Sequence, residues 1–257
     1  HRMIQSTYID PIFGFVTSKG KPDEPKGRPA KSFTTRPYFV GFNVADPVVS
    51  SFNGLEITKA IPAKMVVLCE GRRGQGFRVC TSCGIGYKQL TKKLMKKHKS
   101  PFGVECSGQW TDQVSLGHEF DTDVIRIQFL LRPEFSDPIW FGYSLAYALI
   151  EGVADTLEIP SADLNATVEH LSDGQSVPPI ILYDNVPGGA GLVARLENKE
   201  DLRKSLDAAL HRVSGGCKCS EDTSCYGCLR SYRNQFAHEH LRKGPVAKYL
   251  QQIISQW

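Results

Sequence analysis

The chain has 257 residues, 41% of them hydrophobic and 23% charged, enough to bury the core of one domain or of two small ones, and it reads as a soluble globular protein. The longest strongly apolar stretch, Ile139 to Ile150, is too short to cross a bilayer and carries Tyr143, Ser144 and Tyr147, which argues against a membrane span. With 31 Lys and Arg against 27 Asp and Glu, the net charge of +4 does not by itself mark a nucleic-acid binder.

The opening His1-Arg-Met-Ile-Gln shows no apolar signal segment, and the chain reads as a piece of something longer. Eight cysteines without an export signal predict a reducing, cytoplasmic setting and metal binding. In chain order, Phe13 to Val16 is a short strand-like piece, and the Pro/Gly/Lys-rich segment Ser18 to Pro29 is an exposed loop. Tyr38 to Asn43 and Gly54 to Thr58 have the β-branched and aromatic content of strands. Lys64 to Cys69 reads as a buried strand that turns through Glu70 to Gly76 into a return strand, Phe77 to Cys80. Val124 to Leu131 is a strand closed by Pro133.

Helical spacing then takes over. Phe141, Leu145, Ala148, Leu149, Val153 and Leu157 recur on one face of a helix from Trp140 to Leu157. Val177 to Tyr183 is an apolar strand, Pro187 to Gly191 a sharp turn, and Leu192 to Leu196 the start of a helix. Glu200 to Val213 forms a helix stopped by Gly215-Gly216, and a last helix runs from Pro245 to Ser255. These elements predict an α+β fold with a mixed sheet and packed helices. Residues 1–60 form a β-rich flank, 61–135 a zinc-ribbon-like part, and 136–257 an α/β part with a cysteine loop.

The strongest chemical signal is Cys217-x-Cys219-x₅-Cys225-x₂-Cys228. A C-x-C and a C-x-x-C so close together make two tight turns whose thiolates converge on one tetrahedral Zn²⁺ with every position filled, a structural site rather than a catalytic one. Disulfides fit such short spacings poorly. A second set precedes it: Cys80 and Cys83 at a hairpin tip, completed by His98 and Cys106, with Cys69 as the alternative to His98.

Positive charge accompanies both sets. Lys92, Lys93, Lys96, Lys97 and Lys99 surround His98, while Arg230, Arg233, Arg242 and Lys243 follow the four-cysteine loop. Arg230, Ser231, Tyr232, Arg233, Asn234, Gln235 and His238 combine guanidinium forks, amides and an aromatic ring, which suits phosphate contact and base stacking. On a helix, Arg230, Asn234 and His238 would share a face. A polar surface capping the zinc loop is the plainer reading of these residues, and a solvated helix face that of the lysines.

Two further motifs invite catalytic readings. His118, Glu119, Asp121 and Asp123 fall within six positions, which suits either a metal-binding or acid-base set or a polar turn entering the next strand. The glycine-rich Asp184 to Gly191 stands between a strand and a helix, where amides are able to cradle phosphate, yet no G-x-x-x-x-G-K-[ST] occurs in the chain. A tight turn or a close backbone approach is the simpler account of these glycines.

The blocks Gly76-Phe-Arg-Val-Cys80-x₂-Cys83-Gly, Leu116-Gly-His-Glu-Phe-x-Thr-Asp123, Leu182-Tyr-Asp-x-Val-Pro-Gly-Gly-Ala-Gly191 and Cys217-x-Cys-x₅-Cys-Tyr-x-Cys228-Leu-Arg-Ser-Tyr-x-Asn-Gln-x-x-His238 together resemble the MrfA-like zinc-binding domain. This domain stands at the C-terminal end of bacterial DEAD/DEAH-box superfamily-two helicases and in a partner protein of the DISARM phage-defence system. Residues 1–60, with the Asp10-Pro-x-Phe-Gly-Phe15 patch, resemble the flank of such helicases more weakly.

The resemblance implies zinc on Cys217, Cys219, Cys225 and Cys228, and an accessory module that binds DNA and docks to motor domains in cis or in trans, in DNA repair or phage defence. It carries no catalytic residue onto this chain. The rival expectation is a hydrolase or nuclease built from His118, Asp121, Asp123, Asp184 and His238, and a third is a purely structural docking module.

Overall fold

A computed structural model describes residues 7–10, 35–43, 45, 47–71, 74–87, 92–133, 137–172 and 175–257. The strand expected at Phe13 to Val16 and the loop expected at Ser18 to Pro29 lie outside the described residues. The chain divides into two compact units, one from His1–Pro37 and Val66–Glu119, the other from Tyr38–Met65 and Phe120–Trp257.

The strands in chain order are β1 (Tyr8–Ile9), β2 (Thr35–Phe42), β3 (Val48–Phe52), β4 (Leu55–Cys69), β5 (Arg78–Val79), β6 (Gly86–Tyr87), β7 (His98–Lys99), β8 (Glu105–Cys106), β9 (Ser115–Phe129), β10 (Leu164–Val168) and β11 (Ile180–Asp184). The helices are α1 (Lys92–Lys96), α2 (Pro138–Leu157), α3 (Lys199–Ser214) and α4 (Lys243–Ile254). The fold is α+β. Its main sheet runs β10-β11-β9-β4-β2, with β1 parallel to β9 and β3 antiparallel to β4.

In the second unit, alternation along the strands assigns side chains to two layers. Ile125, Ile127 and Phe129 of β9, with Ile180 and Leu182 of β11, join the core that contains α2, α3 and α4. Their neighbours Val124, Ile181 and Tyr183 pack with Ala63 and Met65 in a separate cluster flanked by Phe39, Phe42 and Phe120. Both faces are therefore covered, and the strands read as near-continuous apolar runs for that reason.

Helix α2 begins where Asp137 accepts a hydrogen bond from Trp140 N, with Pro138 supplying a preset φ, and ends at Glu158 in the left-handed region. Its expected apolar stripe is buried, and so are Ala146, Tyr147, Ile150 and Ala154, because α2 has the sheet strand β10 and helices α3 and α4 as neighbours. A Cβ at Gly152 would come within 2.3 Å of Ser205 O on α3, so this glycine sets how closely the two helices meet. Asn198 caps α3 through the amides of Glu200 and Asp201.

Four expectations are corrected. The two strands read at 54–58 and 64–69 are one strand, β4, which continues through Pro62 in a stretch where Ile61 and Pro62 are both exposed. Phe77 to Cys80 does not return along β4: Gly76, at φ 64 and with Val114 O where a Cβ would stand, delivers Phe77 to Val114 and Cys80 to Trp110, while β5 pairs with β6. The strand expected from Val124 begins at Ser115, so His118 to Asp123 lie in a strand and not in a turn. Leu192 to Leu196 yields only a 3₁₀ turn, Val193–Glu197, ended by the extended backbone of Asn198.

Candidate metal centres

Helix α3 stops at Gly215-Gly216, and the chain then folds into the four-cysteine loop. The amides of Cys228, Leu229 and Arg230 all donate to Cys225 O, at 3.1, 3.1 and 3.0 Å, which curls the second cysteine pair back on itself. Cys225 N also donates to Cys228 Sγ at 3.1 Å. The sulfurs of Cys217 and Cys219 lie 3.5 Å apart, those of Cys219 and Cys228 3.8 Å, and those of Cys225 and Cys228 3.9 Å. Four thiolates at about 2.3 Å around a tetrahedral zinc would stand about 3.8 Å apart, so the donor set fits that ion.

The first turn of α4 closes the loop. Lys243 Nζ donates to Cys217 Sγ at 3.1 Å and reaches Cys217 O at 3.4 Å, while Lys243 N and Gly244 N donate to Thr223 O and Glu221 O. A Cβ at Gly244 would lie 2.6 Å from the Glu221 Cβ, so only glycine allows that approach. Lys243, counted with the basic surface in the sequence, is buried and spends its charge on sulfur. A zinc ion with four thiolates keeps a net negative charge, which this ammonium offsets.

Burial opposes ionisation of Cys217, but the hydrogen bond from Lys243 and those from Cys219 and Cys225 outweigh it and bring the thiol down to about 6. Burial pushes Cys228 up to about 12, and Cys219 is raised by burial and by the sulfurs of Cys217 and Cys225. Near neutral pH the metal-free loop therefore holds one thiolate readily and keeps protons on Cys219 and Cys228, which zinc must displace. Zinc affinity is expected to fall as pH falls, with protons released on binding. Calorimetric titrations of zinc in buffers of different ionisation enthalpy read that release, and identical heats in every buffer would contradict it.

A second convergence lies in the first unit. Cys80 and Cys83 occupy the turn between β5 and β6, and His98 and Cys106 face each other across β7 and β8. Cys80 Sγ and Cys106 Sγ are 3.8 Å apart, and Cys83 Sγ lies 3.3 Å from His98 Nε2. Among the described residues Cys69 belongs to neither group.

The residues expected to touch nucleic acid fall into two kinds. Lys92, Lys93, Lys96, Lys97 and Lys99 are exposed on and beside α1. The stretch after Cys228 is not a helix: apart from a 3₁₀ turn at Gln235–Ala237 it is irregular, because Asn234 turns its side chain inward. Asn234 is 1% exposed, accepts from Ser231 N and donates to Leu229 O, and His238 Nε2 donates to Ser231 O and to the Asn234 side-chain oxygen. Arg230 donates to Ser224 Oγ and His238 O. These three do not form a shared exposed face; they hold the loop. Arg233, exposed, donates to Ala162 O, while Tyr226 and Tyr232 are 63% and 75% exposed. Tyr226 sets its ring edge-on against His238 at 5.5 Å. The set expected to contact nucleic acid included Tyr232 but not Tyr226, which the sequence block names between two ligands.

The glycine loop is already filled by the protein's own carboxylates. Asp184, fully buried, accepts from Ala190 N and Leu192 N at 2.7 and 2.9 Å on one oxygen and from Val193 N at 2.9 Å on the other. Gly191 N donates to Asp123 at 2.7 Å, and a Cβ at Gly189 would fall 2.3 Å from the Asp123 carboxyl carbon. Thr122 ties the same turn through Asp184 O and Val186 O. Amides that read as a phosphate cradle thus bind Asp123 and Asp184, a role the sequence did not reveal. Asp121 accepts from Asn43, and His118 stands 3.6 Å from Asp10 in the first unit.

A family model described as the MrfA Zn-binding domain matches residues 145–229. Druantia protein DruE of Escherichia coli (strain UMEA 4076-1) is 28% identical over 245 residues, a match taking in 81% of this chain and 13% of DruE, so the chain spans a small part of that relative. Among solved structures, the DUF1998 helicase MrfA bound to DNA is 13% identical, with a TM-score of 0.48 over 87% of this chain and 25% of that one. The same helicase bound to DNA and AMPPNP gives 0.35 over 86% and 23%. The matched segment runs from α2 through the carboxylate-filled glycine loop to the fourth cysteine, and over it this chain carries an MrfA-like zinc-binding domain, with zinc as its cofactor.

Proposed function

We propose that this chain is a non-catalytic accessory domain of a DNA helicase, working in the cytoplasm in DNA repair or phage defence, which binds DNA and docks to motor domains in cis or in trans. The observation that carries the reading is the four-cysteine loop within the MrfA-like segment: zinc on Cys217, Cys219, Cys225 and Cys228 fixes a surface that exposes Lys218, Tyr226, Tyr232 and Arg233, together with the acidic Glu221 and Asp222. A loop held rigid before contact loses less conformational entropy on binding. Guanidinium and ammonium groups meet phosphates, and the tyrosine rings offer faces to unstacked bases. The lysines of α1 add charge-driven affinity that salt weakens.

The hydrolase reading has little support in the geometry. Asp123 and Asp184 satisfy loop amides, His238 donates to Ser231 and Asn234, and His118 belongs to the other unit. No catalytic role is assigned to them.

Changing Lys96 and Lys97 together to Glu tests the charge component. The expected result is weaker DNA binding at low salt and a log K against log salt slope shallower by up to about 1.8, from roughly 0.9 per phosphate contact on duplex DNA. An unchanged affinity and slope would remove these lysines from the interface and favour a protein-docking role for that face.

A further inference from the structure

We infer that residues 77–87 and 92–110 form a second zinc clasp, in which Cys80, Cys83, Cys106 and His98 Nε2 hold one ion, and that this ion rather than an apolar core folds that part of the first unit. The clasp lies outside the segment matched by the family model, 145–229, and does not depend on the DNA-binding reading.

The donor set is complete and drawn together. All four ligand atoms lie within 4.8 Å of one another, with Cys80 and His98 buried at 1% and 5% exposure. His98 presents Nε2 to the sulfurs, 3.3 Å from Cys83 Sγ, while its Nδ1 is buried with no hydrogen-bond partner among the described residues. Three sulfurs and an imidazole are a tetrahedral zinc set. The Trp110 ring closes over His98 with centroids 4.5 Å apart.

The surroundings are shaped to that group. Gly108 N donates to Cys106 Sγ at 3.4 Å, and a Cβ on Gly108 would lie 2.4 Å from Ser82 Oγ and 2.7 Å from Cys80 Sγ, so the chain passes as near the sulfurs as glycine alone allows. Thr81 fastens the knuckle to Gln109 O through its amide and its hydroxyl.

Little else holds these elements. β5 with β6 and β7 with β8 make two residue pairs each, and α1 has five residues, all below the size that is stable alone in water. Both described clusters of buried apolar side chains belong to the second unit, and among the described residues of 77–110 the buried apolar side chains besides Cys80 are Phe77 and Val79. Small elements without a core depend on a metal or a disulfide. The spacing of Cys80 and Cys106 suits ligands of one ion, not a bonded pair.

Native mass spectrometry of the whole chain tests this. The expected counts are two zinc ions in the wild type and one in either Cys83→Ser or Cys225→Ser. His98→Cys should keep two, with cobalt-substituted absorption moved to longer wavelength because a sulfur replaces nitrogen. In Cys83→Ser, hydrogen exchange should rise across 77–110 while 145–229 keeps its protection. A wild type with a single zinc that Cys225→Ser removes altogether would overturn the proposal. So would an intact mass two hydrogens light from a Cys80–Cys106 disulfide, or unchanged exchange in a Cys83→Ser chain that has lost one zinc.

Discussion

Cys225→Ser is expected to release the zinc of the four-cysteine loop and to lower the melting temperature by roughly 10 °C or more, since losing a structural metal belongs to the class of changes costing above about 4 kcal/mol and each kcal/mol is worth about 2–4 °C in a chain of this size. The substitution removes one thiolate from a set with no spare position, and a serine hydroxyl is a poor replacement on zinc. The damage reaches beyond the loop. Lys243 would face Cys217 without the ion that fixes it, and α4, which begins at that lysine and buries Val246, Tyr249, Leu250 and Ile253, would lose the anchor of its first turn. Hydrogen exchange should therefore rise from Cys217 to about Val246. A Cys225→Ser protein that kept its metal and its melting temperature would show that these thiols do not form the structural site.

The second large effect is expected at Asp184. Asp184→Ala strips three amide donors, those of Ala190, Leu192 and Val193, of their acceptor. A buried donor left unpaired costs about 1–3 kcal/mol, so the loss should exceed about 3 kcal/mol. Gly189→Ala attacks the same turn from the other side: its φ of +77 disfavours any side chain, and the new methyl would overlap the Asp123 carboxylate. Both variants should unfold at lower temperature in thermal denaturation while binding zinc at the four-cysteine loop. Asp184→Ala melting within a degree or so of the wild type would mean that the loop amides find other partners.

Short-range patterns were the legible part of the sequence. Four cysteines within twelve residues converge because their spacing leaves them few other options, and α2 and α3 announced themselves through apolar periodicity, α3 also through the Gly215-Gly216 stop. What could not be read depended on partners far along the chain. Phe77 and Cys80 pair with Val114 and Trp110, and Asp123 binds Gly191 across 68 positions. The glycine loop read first as a tight turn with close backbone approach, which the positive φ of Gly188, Gly189 and Gly191 and the Asp123 contact at Gly189 bear out, and only second as a phosphate cradle, whose amides are taken by the protein's own carboxylates. Arg230 to His238 read equally as a polar recognition face and as a cap on the zinc loop; Arg230, Asn234 and His238 serve the cap, and the segment is not a helix because Asn234 competes with the backbone for hydrogen bonds and turns inward. Lys243 counted as surface charge until its sulfur partner was visible. In each case composition was read correctly and the direction of the side chain was not available from it.

The central claim, a zinc-fixed module that binds DNA, is tested most directly by fluorescence anisotropy. Labelled single-stranded and duplex oligonucleotides are titrated with the zinc-loaded chain over a series of salt concentrations. The account predicts binding to at least one form at low salt, weakening linearly in log K against log salt, and lost when Cys225→Ser removes the metal. Absence of binding to both forms at every salt concentration, with zinc bound and the chain folded, would contradict it.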